Sequence, residues 1–479
     1  MSDDIGLRSD RGPALLALLL ATFLIGMAQW VIATAVPSIA ADIGGFSSFP
    51  WLFSVYLLTM TVTVPVVSRL ADIVGRKRLL LVGISVFVLG SVLCGLAWSM
   101  PSLIAFRVVQ ALGGGSIQSL ALTVIGDLYN REDRARVQGH IAVTLAAASV
   151  IGPLVGGFFA MMDAWRLVFL INLPIGVLAL WLIYRNVHEQ VERRAHRIDY
   201  AGAVLITGAL SLLVLGALEG GGAWAWTSAT SLTIFAVGAA LLVAFVLRER
   251  RAAEPIIPLG LFRRRLVVVM AVLGLMMGGI MVGLTAFAPI YLQVAGGASP
   301  IWAGVAVAAM ALGLPASSAL AGTLSLRWGL RRTTVLGAVL AVAGVAGLAA
   351  FAHYPSVFTV AACAALVGIG FGLTTVPGLV ALQESVAWNQ RGMVTGLVTF
   401  FRSLGQVLGV AALGAVGKAM LGDAARDQDP LVVQSAIGVV FTLMLVFALI
   451  HLFGSFAMPR SVATTGAGGT PAAASRSAS

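Results

Sequence analysis

Two arginines lie inside long apolar stretches of the chain. Arg107 is near the start of one stretch and Arg402 is near the middle of another. A charge at such a position is costly, so it normally faces a cavity, a partner or a substrate. We therefore interpret Arg107 as functional and expect Arg402 to bind an anionic group of a substrate or to contact Glu384. The alternatives are that Arg107 extends to the membrane surface and that Arg402 serves packing or pairs with backbone carbonyls.

The acidic residues have a different distribution. None of the 19 falls in the middle of an apolar stretch. A carboxylate within a membrane suits proton transfer because burial and a nearby arginine can move its pKa. Three acidic residues close to the ends of such stretches are candidate proton carriers, namely Glu384, Asp127 and Asp42. The alternative for each is a solvated helix cap or a loop ion pair.

Several polar and aromatic side chains also interrupt the apolar stretches. A largely apolar cavity with a few polar groups suits amphipathic organic molecules of varied structure. For each of these residues, helix packing is the alternative to substrate contact. The candidates for a substrate pathway are Gln29, Trp30, Thr34, Gln118, Asn172, Tyr291, Gln293 and Gln383.

Composition restricts the class of protein. The 479 residues are 59% hydrophobic and 10% charged, whereas soluble domains carry about 25% charged residues. The net charge of +11 comes from short basic clusters between apolar stretches, where it would set membrane topology, so we expect no nucleic-acid partner. No phosphate-binding loop, catalytic cluster or metal-ligand spacing is recognisable, so we expect neither an enzyme nor a bound cofactor or metal.

Windows of about 20 apolar residues predict fourteen transmembrane helices in an all-α membrane protein. The predicted parts are a cytoplasmic amino terminus (1–13), a six-helix bundle (14–184), two additional helices with flanking cytoplasmic segments (185–265), a second six-helix bundle (266–457) and a disordered cytoplasmic tail (458–479). The distribution of Lys and Arg places both termini in the cytoplasm, which predicts a multi-pass protein of the plasma membrane. We expect the two additional helices to be peripheral and the protein to function as a monomer in the lipid bilayer.

The turn after the second predicted span is repeated after the tenth. Ser68 to Arg78 and Gly322 to Arg332 share a leucine, a glycine five residues later and basic residues at the end. The repeat predicts two parallel halves that meet at a central site. An ion pair that differs between states could form in the first turn, and the alternative is a basic loop that only sets topology. The residues of this predicted latch are Asp72, Gly75, Arg76, Lys77 and Arg134.

These turns and three further motifs resemble those of the major facilitator superfamily, specifically its fourteen-helix drug:proton antiporter family. The resemblance covers essentially the whole chain. Arg107 and Gln110 are similar to the family's Arg-x-x-Gln-Gly-x-Gly pattern, and the segment from Trp165 to Gly176 is typical of the start of span six. The exporter signature of span five is represented by Gly152, Pro153, Gly156 and Gly157, with Ala148 at its first glycine.

The resemblance implies a 6+2+6 arrangement of helices and proton-driven export of small amphipathic compounds, as in multidrug or antibiotic efflux, by alternating access. It links Arg107 and Gln110 to proton coupling. Ala28 stands where the family often has an aspartate, so the proton carrier is open, and a neutral or anionic substrate is favoured over a purely cationic one. The alternatives are an uncoupled or differently coupled facilitator of the same fold and a ligand-binding membrane sensor.

Overall fold

The structure is a computed structural model that describes residues 12–129, 131–187, 200–221, 223–252, 259–386, 391–421 and 429–459. The predicted tail beyond residue 459 and the side chains of Asp72, Asp127 and Arg134 lie outside the described part. The helices of the first part of the chain are α1 Gly12–Trp30, α2 Ile32–Ile43, α3 Phe49–Val74, α4 Arg76–Gly95, α5 Met100–Leu128, α6 Arg131–Met161, α7 Leu167–Leu170 and α8 Asn172–Asn186. The remaining helices are α9 Tyr200–Glu219, α10 Ala229–Glu249, α11 Arg265–Ile290, α12 Pro300–Trp328, α13 Leu330–Ala350, α14 Val357–Glu384, α15 Arg391–Leu421 and α16 Pro430–Phe456.

Fourteen of the described helices are long and apolar enough to cross a membrane, as the sequence predicts. The described ranges contain no β-strand. An even number of crossings returns the chain to the side on which α1 begins. We call the side that holds Gly12 and Met458 the amino-terminal side, and the other side the opposite side.

The helices pack as two groups with a pair between them. We call α1 to α8 the first bundle and α11 to α16 the second bundle, because most helix contacts lie within these sets. The two bundles meet mainly where α6 packs on α12 and α3 packs on α15. Helix α10 is mostly exposed and packs on α9, which itself contacts α3 and α15. The expectation of two peripheral helices therefore describes α10 but not α9, which bridges the bundles.

The repeated turns adopt the same backbone conformation. Gly75 ends α3 with φ 103° and Gly329 ends α12 with φ 85°. Residues that have a Cβ rarely adopt these positive φ angles, so glycine allows the chain to turn directly into the next helix. The repeat seen in the sequence is thus a repeat of geometry.

Two predicted spans are interrupted. The first span, predicted as a single helix, is divided at Val31 into α1 and α2. At this point Gly156 of α6 packs directly against the Val31 carbonyl oxygen. The span of α11 continues into a π-helical turn at Tyr291–Ala295, just after Pro289. Proline has no N–H to donate, so the regular hydrogen-bond pattern of the helix is broken there.

Candidate translocation pathway

Arg107 lies inside the first bundle with 1% of its surface exposed. It comes two turns into α5, and its Nη1 donates a hydrogen bond of 2.7 Å to Oε1 of Gln110. Its Nε donates to the carbonyl oxygen of Leu52 on α3, at 3.3 Å. The guanidinium carbon is 3.9 Å from the centre of the Tyr56 ring, close enough for a cation–π interaction. This burial excludes the alternative in which Arg107 reaches the membrane surface.

Gln110 connects this arginine to a polar cluster. Its Nε2 donates to the hydroxyl of Ser91 on α4 at 2.7 Å, and Asn172 on α8 donates to the same oxygen at 3.4 Å. A Cβ at Gly90 would lie 2.4 Å from the Gln110 nitrogen, so only glycine permits this approach of α4 to α5. Asn172 therefore belongs to a cluster within the first bundle, where it is fully buried.

Ala28 completes the surroundings of Arg107. Its backbone carbonyl oxygen is 3.5 Å from Arg107 Nη1. Among the side chains that the structure describes, no carboxylate pairs with this arginine. The guanidinium is thus held by neutral acceptors and an aromatic face, and its charge is not neutralised by a described neighbour. Because a buried charge without a counter-ion is costly, Arg107 is a candidate functional residue.

A small central cavity of about 20 Å³ lies beside Arg107, between the two bundles. It contains two of the predicted substrate-pathway residues, Gln29 and Trp30. The residues that line it are Gln29, Trp30, Phe53, Tyr56, Leu57 and Arg107 of the first bundle and Val282, Thr285 and Gln406 of the second. The cavity is mostly apolar with a few polar groups and one cation, as expected for an amphipathic ligand.

The bundles touch each other near the ends of the helices on the opposite side. Gln293 Nε2 donates a hydrogen bond of 3.1 Å to the carbonyl oxygen of Thr34. A Cβ at Gly157 would lie 2.5 Å from the carbonyl oxygen of Pro300. A Cβ at Gly304 would likewise lie 2.5 Å from the carbonyl oxygen of Pro153. Pro153 and Gly157 of span five therefore form part of the contact between the bundles.

Comparison of the whole sequence with known protein families identifies the family of this chain. The family model of the Major Facilitator Superfamily matches residues 18–410. This chain belongs to the major facilitator superfamily. The transporter is 34% identical over 424 residues to the multidrug transporter protein MdtP of Bacillus subtilis (strain 168), an alignment that covers 88% of this chain and 78% of that protein. It is 32% identical over 403 residues to multidrug resistance protein 3 of the same organism, with 84% and 78% covered.

A solved structure supports the fold independently. The bacterial homologue of the human lysosomal transporter Spinster, in an inward-facing and occupied conformation, matches with a TM-score of 0.66 and 16% identity. The match covers 94% of this chain and 97% of that one. The solved structure supports the fold, and the family match identifies the protein as a multi-pass membrane transporter.

A second cavity of about 80 Å³ lies within the second bundle of the transporter. Arg402 of α15 lines it, together with His451 of α16, which the sequence analysis did not single out. The Arg402 side chain makes no hydrogen bond or ion pair with any described residue. Glu384, which was expected to approach Arg402, is instead exposed at the end of α14 on the amino-terminal side, so the predicted contact is wrong.

Other predicted residues have roles away from the cavities. The carboxylate of Asp42 accepts hydrogen bonds from Arg166 and Trp165 at 2.6 and 3.0 Å, on the surface of the opposite side. The hydroxyl of Tyr291 donates to the carbonyl oxygen of Ala352 at 2.8 Å, which ties the π-helical turn to the end of α13. These contacts favour structural roles for Asp42 and Tyr291.

The remaining predictions concern the amino-terminal side. Lys77 Nζ donates to the carbonyl oxygen of Tyr184 at 2.8 Å, which links the predicted latch to α8. Arg76 lies at the start of α4, beside Gly75. Gln383 Nε2 donates to the hydroxyl of Thr395 at 2.9 Å, and Gln118 is half-buried in α5. None of these residues lines either cavity.

Three lining residues of the central cavity that carry a polar group were missed by the sequence analysis: Tyr56, Thr285 and Gln406. Gln406 could have been found, since it is a polar residue one turn beyond Arg402 in an apolar stretch. Tyr56 could not, because its importance depends on the approach of α5. Its hydroxyl has no hydrogen-bond partner within the described ranges, which indicates that its ring face is the part that matters.

This difference between ring and hydroxyl gives a testable prediction. Tyr56→Phe keeps the aromatic face over Arg107 and removes only the unpaired hydroxyl, so we expect transport within about twofold of the wild type. Tyr56→Leu removes the cation–π interaction, which contributes about 2 kcal/mol when desolvated, and should lower the transport rate about tenfold or more. Initial rates in proteoliposomes test this, and equal rates for the two variants would contradict it.

Proposed function

We propose that this transporter exports small amphipathic organic compounds from the cytoplasm in exchange for protons, by exposing its central cavity to each side of the membrane in turn. The observation that carries the proposal is the cavity between the bundles, apolar over most of its lining and adjoining the buried, unneutralised Arg107. The names of the two Bacillus subtilis relatives, a multidrug transporter and a multidrug resistance protein, support export as the direction.

The position of the cavity supports alternating access. Both bundles contribute to its lining, so a movement of one bundle relative to the other changes which side it faces. The contacts of Gly157, Gly304 and Gln293 hold the bundles together on the opposite side. These contacts must separate for the cavity to open there. Under the predicted topology, the opposite side is the exterior, and the amino-terminal side, with both termini, is the cytoplasm.

The surroundings of Arg107 support coupling to protons. A guanidinium keeps its charge at all physiological pH values. Because Arg107 is held by neutral acceptors, its positive charge is available to act on a second charged group. It would stabilise an anion and repel a cation that enters the cavity during one stage of the cycle. An uncoupled facilitator would need no such buried cation.

Flux measurements with an imposed pH gradient test this proposal. Purified protein is placed in proteoliposomes, and efflux of ethidium and of radiolabelled 6-hydroxy-2-naphthoate is followed at several gradients. We expect efflux to accelerate with a gradient that drives protons in the reverse direction. Saturable flux that is independent of the gradient would refute proton exchange and favour a facilitator. Binding without flux would refute transport and favour a sensor.

Glu219 offers a test of the closed opposite side. Its carboxylate accepts hydrogen bonds from Trp51 of α3 at 2.7 Å and from Lys418 of α15 at 2.8 Å, so one side chain of α9 joins both bundles. Partly exposed ion pairs contribute about 0.2–1 kcal/mol. We expect Glu219→Gln to raise the population that is open on the opposite side about two- to fivefold.

Spin labels measure this change. Leu96 and Phe351 are exposed on the opposite side, one in each bundle, so labels on cysteines introduced at these positions, with Cys94 and Cys363 replaced by alanine, report the separation of the bundles. Asp42→Asn is the matched control, because Asp42 also forms an ion pair on this side but only within the first bundle. A distance distribution that is unchanged by Glu219→Gln, or changed equally by Asp42→Asn, would contradict the prediction.

A further inference from the structure

The second cavity has the features of a ligand-binding site, and its lining is separate from that of the central cavity. It is enclosed by four helices of the second bundle, α11, α14, α15 and α16. Its apolar wall includes Met270, Leu273, Met277, Leu379 and Val398. Its polar groups are concentrated on α14, α15 and α16, so a ligand would meet a different chemistry on each side.

Among the residues that the structure describes, Arg402 supplies the only cation in the lining of this cavity. Its guanidinium carries five N–H donors, and no described residue accepts a hydrogen bond from them. Its backbone is held firmly, because a Cβ at Gly278 would overlap the Arg402 carbonyl oxygen, which places α15 against α11. A charge that is held in place and lacks a described partner is suited to binding an anion.

Three of the four threonines that line the cavity do not provide further donors. The hydroxyls of Thr374 and Thr375 donate to carbonyl oxygens of their own helix, both at 2.8 Å. The hydroxyl of Thr399 donates to the Thr395 carbonyl oxygen at 3.1 Å. Their oxygens keep free lone pairs, so toward the cavity they act as acceptors.

His451 is an acceptor as well. It is buried, with 1% of its surface exposed, and its ring packs edge-on against Phe371. Its Nδ1 lies 3.2 Å from the carbonyl oxygen of Leu273. A carbonyl can only accept, so Nδ1 carries the proton, and Nε2 of the neutral ring is an acceptor. Nε2 has no hydrogen-bond partner among the described residues.

We infer that this cavity binds an amphipathic organic acid, with its anionic group on Arg402, its apolar body against the methionines and leucines, and a hydrogen-bond donor directed to Nε2 of His451. The inference deepens the proposed function, on which it rests, by naming the class of substrate. A neutral or purely cationic compound would leave the guanidinium without a partner and is disfavoured by the same groups.

Equilibrium binding to the purified protein in phosphatidylcholine nanodiscs tests the inference with three matched probes. These are 6-hydroxy-2-naphthoate, 6-hydroxy-2-naphthamide, which lacks the negative charge, and 2-naphthoate, which lacks the donor. Hydrogen bonds to charged groups are strong, so the wild type should bind the hydroxynaphthoate about tenfold or more tightly than the amide. It should also bind the hydroxynaphthoate about threefold or more tightly than 2-naphthoate.

Variants assign these preferences to side chains. Arg402→Gln should abolish the preference for the acid over the amide, and Arg402→Lys should retain part of it. His451→Phe, which keeps an aromatic ring, should abolish only the preference for the hydroxyl group. Arg327→Gln is the matched control, because Arg327 is an exposed arginine at the end of α12. Equal binding of acid and amide by the wild type, or a preference that persists in Arg402→Gln, would overturn the inference.

Further outcomes distinguish an organic-acid substrate from a lipid headgroup as the bound anion, and distinguish failure of the binding site from failure of the proposed proton exchange. If phosphatidylglycerol added to the nanodiscs displaces the probe from the wild type through Arg402, the site belongs to a lipid headgroup and the substrate assignment is refuted. Binding needs no transport, so specific binding without gradient-driven efflux would refute the proposed exchange and leave the site intact. Gradient-driven efflux of ethidium without acid-specific binding would refute the binding site and leave the proposed exchange intact.

Discussion

Arg107→Gln should reduce the rate of transport about 10- to 100-fold. The substitution removes the positive charge beside the central cavity and the charge-assisted hydrogen bond to Gln110. Such interactions contribute about 1.5–3 kcal/mol each, and about 1.4 kcal/mol corresponds to a tenfold change in rate. Glutamine can replace part of the hydrogen bonding to the neighbouring carbonyls but not the charge. Initial rates of efflux from proteoliposomes measure the effect.

Arg107→Lys separates charge from shape. Lysine keeps the charge but lacks the planar guanidinium that lies on the Tyr56 ring and donates to several acceptors. We therefore expect an intermediate rate, between those of the wild type and Arg107→Gln. The thermal unfolding midpoint of each variant shows whether the protein is still folded.

Arg166→Gln is the matched control for Arg107→Gln. Arg166 is also an arginine of the first bundle, but its ion pair with Asp42 is exposed, and exposed ion pairs contribute about 0–1 kcal/mol. Transport by this variant should stay within about twofold of the wild type. If Arg107→Gln retains more than half of the wild-type rate, a direct role for the charge is wrong.

The sequence was sufficient to predict that Arg107 is functional but not to predict its surroundings. A charge within a membrane-length apolar stretch has few stable positions, so its burial could be inferred from the residue type alone. Its neighbours Tyr56 and Ala28, and Ser91 beyond Gln110, come from three other helices. Because these helices are apolar on all sides, the sequence contains little information about which faces meet.

His451 was missed for a related reason. A single histidine in an apolar stretch, with no acidic residue one turn away, is usually a packed core residue. Its significance comes from the Leu273 carbonyl oxygen on α11, which directs the proton to Nδ1, and from the cavity it shares with Arg402. The contact that was predicted for Arg402 joined it to Glu384, the nearest acidic residue in the sequence. The structure separates them because Glu384 lies at the end of its helix.

The motif in span five could be recognised from the sequence, but the different roles of its last two glycines, Gly156 and Gly157, could not be predicted. A Cβ at Gly156 would overlap the Val31 carbonyl oxygen and the Thr34 hydroxyl, which belong to the same bundle. A Cβ at Gly157 would meet Pro300 and Ile301, which belong to the other bundle. Gly156 is thus needed for the packing of the first bundle in every state, whereas Gly157 is needed only where the bundles touch.

Gly157→Leu should therefore open the opposite side without unfolding the protein. The added side chain cannot fit against the Pro300 carbonyl oxygen, and overpacking of this kind costs about 1–3 kcal/mol. The cost applies only to the state in which the opposite side is closed. We expect the open population to rise about 5- to 150-fold, with the spin labels at positions 96 and 351 moving to longer distances, and transport to fall because the transporter can no longer close on that side.

Two comparisons make this prediction specific. Gly139→Leu, on the same helix, places the same side chain where no atom lies within 4 Å of the added Cβ, so it should leave the distances unchanged. Gly304→Leu should reproduce the effect from the other bundle, because its Cβ would lie 2.5 Å from the Pro153 carbonyl oxygen. If Gly157→Leu lowers the thermal unfolding midpoint as much as Gly156→Leu and leaves the label distances unchanged, the glycine serves packing within one bundle. If the distance between the labels increases with little loss of stability, the contact between α6 and α12 stabilises the state in which the opposite side is closed.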